Sequence, residues 1–163
     1  MNKGEFVNLA RTRRQPYQKQ EFESTCLSSD VSANIYMSML QSKAWKLLTN
    51  SQKVLYLYCK AQYYAEKKKP NGIPQCFTMN QSKWCNLYGL YKKSNAKGFY
   101  RDMDSLIEKG FIICVERGGM SFKNIYQYSN MWQKFGESEF IVLPAQKTAS
   151  LLHKSAQSVA SSQ

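Results

Sequence analysis

Residues 80–128 read NQSKWCNLYGLYKKSNAKGFYRDMDSLIEKGFIICVERGGMSFKNIYQY, and the punctuation of this stretch decides the fold. Trp84, Leu87 and Tyr88 recur at i, i+3 and i+4, which predicts a short helix over Asn80–Tyr88. Thr78 and Gln81 have capping-box spacing, and Asn80 is the alternative cap. Gly89 supplies a left-handed stop, and the chain turns through Gly89–Lys93. A second helix is expected over Ser94–Lys109, burying Ala96, Phe99, Met103, Leu106 and Ile107, with Gly110 where a C′ glycine belongs. Phe111–Arg117 is rich in β-formers, Gly118-Gly119 has turn chemistry, and Ile125–Tyr128 alternates as an edge strand does.

Helix, tight turn, helix, glycine, strand, turn, strand is the order of a winged helix-turn-helix. The expected class is therefore α+β, with a three-helix core and a small antiparallel β wing. The remaining core helix starts upstream. Thr49 and Gln52 form a capping box, and Val54, Leu57, Tyr58, Ala61, Tyr64 and Ala65 mark an apolar stripe. This helix should fade in Glu66–Lys69 before Pro70. Val31–Leu48 holds a short helix marked by Ile35, Met39 and Leu40, continued loosely by Ala44, Leu47 and Leu48, and Ile73–Met79 reads as a short strand. Trp132 and Phe135 should pack back onto the domain, and Phe140–Leu143 reads as an extra strand or an extended segment. From Ala145 onward Ala, Ser and Gln dominate, so disorder or a weak helix is expected. The organisation that follows is a polar, flexible arm over 1–30, a domain over 31–143 and a tail over 144–163.

The chain has 163 residues, 43% of them hydrophobic, enough for one core. Its formal net charge of +12 favours a polyanionic partner, nucleic acid before a membrane surface. Arg occurs only at positions 11, 13, 14, 101 and 117, so Lys supplies most of the charge, as phosphate attraction requires more than base reading does. The five cysteines form no C-x-x-C pair and read as buried reduced thiols; together with the lack of a signal peptide or a membrane-spanning run, this places the protein in the cytoplasm. Neither metal nor other cofactor is expected, because ligand spacing is absent and His153 stands in the tail. Enzymatic chemistry has no support either: there is no Gly-rich phosphate loop, and Asp102 and Asp104 fall on opposite sides of a helix.

In a helix-turn-helix the second helix enters the major groove by its N-terminal half. With Ala96, Phe99 and Met103 inward, the opposite face carries Ser94, Asn95, Lys97, Gly98 and Arg101, preceded by Lys92 and Lys93. Asn95 suits adenine and Arg101 suits guanine, each such contact supplying ~1–3 kcal/mol of discrimination. The bland alternative is a solvated helix face. Gly98 costs ~1 kcal/mol relative to Ala in a helix, which close approach to a DNA backbone or close packing on the first helix would explain. Arg117, Lys123 and Asn124 stand on or near the hairpin turn, where an Arg suits a narrow minor groove. Arg11, Arg13 and Arg14 form either a DNA-reaching arm or an uninvolved leader. Lys67–Lys69 is either a solvated helix end or a phosphate contact. The tyrosines at 58, 64 and 88 fall on apolar faces and read as core packing rather than as a stacking platform for bases.

The run Ser105–Ile112, with its Lys-Gly-Phe-Ile joint, resembles the helix-to-strand junction of winged-helix DNA-binding proteins. The layout from Ser32-Ala33 through Phe77-Thr78-Met79 to Asn124-Ile125-Tyr126, Ser129 and Trp132 is similar to small winged-helix proteins of bacterial plasmids, phages and conjugative elements, including replication-initiator-like and relaxosome accessory proteins. The resemblance spans Val31 to Leu143. It implies non-catalytic binding of double-stranded DNA at an origin of transfer or replication. Transcription regulation, and a protein-interaction role toward an acidic partner, are the other uses of the fold. Relaxase or replication proteins and a second copy of the chain are the further partners it suggests. The helix matching Ser94–Lys109 is less basic than many in the family, which shifts part of the affinity toward the arm, the wing and the Lys-rich first helix.

Overall fold

A computed structural model describes residues 33–65, 68–119, 123–142 and 146–147, all within one compact unit, Val31–Gln163. The expected arm over 1–30 lies outside the described residues, as does most of the 144–163 tail.

Two short helices, α1 (Met37–Gln41) and α2 (Lys43–Lys46), replace the single one expected before Thr49. Ser42 divides them: its extended backbone breaks α1, its hydroxyl accepts from the Trp45 amide, and the same hydroxyl donates to the Met39 carbonyl. They bury Met39, Ala44, Trp45 and Leu48, while Leu47 stays exposed. Helix α3 (Asn50–Ala65) then starts on a reciprocal capping box. The Thr49 amide donates to Gln52 Oε1 at 3.0 Å, and the Gln52 amide donates to Thr49 Oγ1 at 3.3 Å.

The α3 period is helical, as expected, but its phase is not the expected one. Leu55, Tyr56, Cys59, Gln52 and Gln62 are buried, whereas Val54 and Tyr64 are 43% and 50% exposed and Leu57 is also exposed. The physical reason is hydrogen bonding from distant chain. Gln52 Nε2 donates to Asp102 Oδ1 at 3.2 Å, and Gln62 Nε2 donates to the Tyr88 hydroxyl at 2.6 Å and to the Tyr58 carbonyl. Two amides that hydropathy places outside are thus satisfied inside. At the far end Lys69 Nζ donates to the Gln62 carbonyl at 3.0 Å and to that of Tyr63. It closes the carbonyl end of the helix, where a cation is favoured.

Strand β1 (Cys76–Thr78) leads to a π-helical turn, Ser82–Leu87. Asn80 caps it, Oδ1 accepting from the Lys83 amide at 3.1 Å. The Tyr88 amide donates to the Lys83 carbonyl at 2.9 Å, five residues back, and this widened turn swings Leu87 off the inner face. Trp84 is buried, but Leu87, expected beside it, is 67% exposed. Gly89 takes the left-handed conformation with φ 60°. A tight turn over Lys93–Asn95 precedes α4 (Ala96–Glu108), so the helix begins two residues later than expected. Phe99, Met103 and Leu106 are buried, with Trp84 stacked on Phe99 at a centroid distance of 4.8 Å.

The end of α4 is a Schellman motif. Gly110, at φ 77°, donates to the Ile107 carbonyl, and Phe111 donates to that of Leu106. Strands β2 (Ile112–Arg117) and β3 (Ile125–Tyr128) follow. The sheet order is β1-β3-β2-β4, with β1, β3 and β2 antiparallel. The segment expected to be an edge strand is therefore central, because β1 pairs with its free side. Strand β4 (Gln146–Lys147) pairs parallel to β2 at Glu116 and Arg117, inside a stretch expected to carry no strand. Residues 140–142 carry no regular secondary structure, and Trp132 stacks on Phe111 at 6.1 Å, as its packing role requires. The class is α+β, with helices segregated from a sheet whose three main strands are antiparallel. Among the described residues no helix is long and apolar enough to cross a membrane.

Candidate nucleic-acid interface

The burial of α4 leaves one side to solvent. Lys92, Lys93, Ser94, Asn95, Lys97 and Arg101 are all exposed, the Arg101 side chain at 78%. Gly98 is not part of that open surface: it is buried. A Cβ placed on it would lie 2.4 Å from Asn95 Oδ1, because the Asn95 side chain folds over it. The three atoms nearest to such a Cβ all belong to Asn95 rather than to the first helix. The glycine makes room for the side chain at its own helix start, so Gly98 is removed from the contact surface and Asn95 lies against it.

Asp102, next to Arg101 in sequence, is turned inward, the residue being 2% exposed. It accepts from Ser51 Oγ at 3.0 Å, Gln52 Nε2 at 3.2 Å and Tyr91 OH at 2.7 Å. It thereby ties the start of α3, the turn before α4 and α4 itself to one point. Arg101 Nε is 3.6 Å from the same carboxylate, which anchors the root of an otherwise exposed guanidinium. Burial, together with the hydrogen bond to Asp102, raises the Tyr91 phenol well above its ordinary value. Sequence reasoning missed Asp102, Tyr91 and Gln52 as a group; only the i, i+1 placement of Asp102 beside Arg101, off the Lys97–Arg101 line, hinted at it.

Asp104 and the exposed Glu108 are the acidic residues of α4 that remain on the open side; Asp104 is engaged with the hairpin. Its Oδ1 is 3.3 Å from Arg117 Nη2, both side chains being at least half exposed. Arg117, expected on or near the hairpin turn, borders it at the end of β2 and is engaged with α4. Lys123 is exposed beyond it. Asn124 closes the turn, its Oδ1 accepting from the Gly118 amide at 2.8 Å and its Nδ2 donating to Tyr126 OH. Arg11, Arg13 and Arg14 lie outside the described residues.

Between the hairpin turn and α4 lies a concavity of about 400 Å³, lined by Asn80, Gln81, Tyr100, Arg117, Lys123 and Asn124 among others. Tyr100, Asn80 and Gln81 were not expected at a site. Tyr100 is legible afterwards as the residue three positions beyond Lys97 on the helix; Asn80 and Gln81 arrive only because β1 brings the start of the π-helical turn beside the hairpin. Among the described residues no group of three or more His, Cys, Asp or Glu side chains is arranged to hold a metal ion. Cys59, Cys76 and Cys114 are buried thiols, and burial raises all three above the ordinary thiol value. No protein-family model, curated protein or solved structure matches this chain.

Proposed function

We propose that this chain is a sequence-specific double-stranded-DNA-binding protein on a winged helix-turn-helix. One observation carries the reading: the N-terminal half of α4 keeps Lys97 and Arg101 exposed beside Lys92, Lys93 and Ser94, while the neighbouring acid, Asp102, is turned into the core. The succession of π-helical turn, α4 and antiparallel hairpin supports it, as does the net charge of +12. In this reading α4 enters the major groove, which is ~12 Å wide and admits one helix. Lys92, Lys93 and Lys97 neutralise phosphates, and Arg101 pairs with a guanine edge. Lys123 contacts the flanking backbone from the hairpin. Transfer, replication and transcription all use this site chemistry, and neighbouring genes distinguish them.

The test is fluorescence anisotropy with a labelled random duplex across a salt series. With the four phosphates met by Lys92, Lys93, Lys97 and Lys123 neutralised, affinity falls ~10²-fold between about 50 and 200 mM salt. Binding that ignores salt, or none at the lower salt, refutes the proposal. Selection of bound fragments from the source DNA then supplies a specific site. On that site Arg101→Ala loses ~1–3 kcal/mol, with a much smaller loss on random duplex.

A further inference from the structure

Tyr64, whose spacing predicts a core position, stands instead at an open cleft with Tyr36 and Tyr63, all three exposed. The cleft has a volume of about 320 Å³, within the range of small-ligand sites. Its floor is the Tyr128 ring, stacked on Phe77 at 4.7 Å and pinned by a hydrogen bond from its hydroxyl to the Cys59 carbonyl. Tyr63 meets Tyr64 edge-on at 4.8 Å and Tyr128 at 6.1 Å. Lys60 is half-buried at the same cleft, its Nζ 6.0 Å from the Tyr128 ring, and no carboxylate is among the described lining residues. Asn34 and Gln75 add amides able both to donate and to accept.

We infer that this cleft takes unpaired nucleotides of a nucleic-acid strand. Exposed tyrosine faces offer stacking surface to any base, the amides meet base edges, and Lys60 meets a phosphate. Burial lowers the Lys60 ammonium below its ordinary value, and an anion in the cleft offsets that cost. Lys60, the one charged residue of the described lining, and the two amides favour a phosphate-bearing strand over an apolar peptide. The cleft is separate from the α4 surface. Tyr128 and Gln75 face each other at the end of the β1–β3 ladder remote from the hairpin turn, whereas Arg117 and Lys123 flank that turn. The inference therefore stands independently of the duplex reading.

The experiment measures anisotropy of labelled oligothymidylate of about ten nucleotides, with an abasic strand of equal charge beside it. The full chain should bind the base-bearing strand at least about tenfold more tightly. Tyr64→Ala and Tyr36→Ala should each weaken that binding about 5- to 150-fold, and Tyr64→Phe should retain it, because the ring and not the hydroxyl stacks. Thermal unfolding verifies that the variants fold. Arg101→Ala should leave strand binding within about twofold while it weakens duplex binding. Equal affinity for the abasic strand overturns the inference. So do unchanged binding in both alanine variants, and a loss seen only with Arg101→Ala, which would put the strand on α4. Failure of duplex binding alone refutes the α4 reading and leaves this one intact.

Discussion

Asp102→Ala should be among the most destabilising single changes in the domain, although its position on a basic helix marks it as a surface residue. The carboxylate takes three hydrogen bonds from neutral donors, from Ser51, Gln52 and Tyr91. Hydrogen bonds to a charged group contribute ~1.5–3 kcal/mol each when formed, but they do not add. Ser51 is exposed and Tyr91 half-buried, so water can replace the acceptor for both. Gln52 is buried, and its Nε2 loses its acceptor, which costs ~1–3 kcal/mol. The bonds themselves and the packing of the side chain bring the expected loss to ~3–5 kcal/mol, the range for breaking a buried charged network. Arg101 compensates little, since its side chain is 78% exposed and its attraction is screened. Asp102→Asn keeps the shape and one acceptor oxygen, while the hydroxyls of Ser51 and Tyr91 can rotate to accept from its amide; ~1–2 kcal/mol is expected. Equilibrium urea unfolding of the two variants reads both values. A loss below ~1 kcal/mol for Asp102→Ala would show that the carboxylate does not join α3 to α4 in solution.

Gly110 and Gly89 form a matched pair, both at positive φ. A Cβ on Gly110 would stand 2.7 Å from the Trp132 amide nitrogen, whereas nothing lies within 4 Å of one on Gly89. Gly110→Ala should cost ~2–4 kcal/mol and Gly89→Ala only ~1–2 kcal/mol in urea unfolding, and equal costs would refute the packing account. Thr49→Ala removes one half of the capping box and should cost ~1 kcal/mol by the same assay. Asp104→Asn removes the carboxylate that engages Arg117. Duplex affinity should rise, and the salt dependence should steepen by about one phosphate equivalent; an unchanged slope would keep Arg117 out of the interface. Tyr56, Tyr91 and Tyr126 are all raised above the ordinary tyrosine value of 10.0, first by burial. They remain protonated in the folded chain while the unfolded chain ionises. Their stabilising contribution is thus whole below pH 10 and declines as pH rises beyond it, so the urea midpoint should fall between pH 9.5 and 11. A flat midpoint there would mean that these phenols are open to water.

The helix starts and stops were legible because short-range chemistry sets them. Thr49 with Gln52, Asn80, Gly89 and Gly110 act on backbone groups within a few residues, and each does in the structure what its type and spacing imply. The open basic face of α4 was legible for a similar reason, since Phe99, Met103 and Leu106 fix which side turns inward. The partners of Gly98 and Arg117, Asn95 folded backward and Asp104 on another element, were not legible, because they are matters of side-chain placement.

What the sequence determined by itself was the order of the helices and strands from Thr49 to Tyr128, the glycine and capping signals that end several of them, and the sign of the charge they carry. Tertiary structure alone decided which side of α3 is the inside, that β3 is central, and where the tyrosines and Asp102 go. The α3 stripe through Val54 is more apolar than the one through Gln52 and Gln62, yet the latter is buried. Hydropathy counts the cost of taking an amide out of water but not the partner waiting for it. Those partners, Asp102 and Tyr88, lie 50 and 26 residues further along the chain, and only the folded molecule brings them within hydrogen-bonding distance.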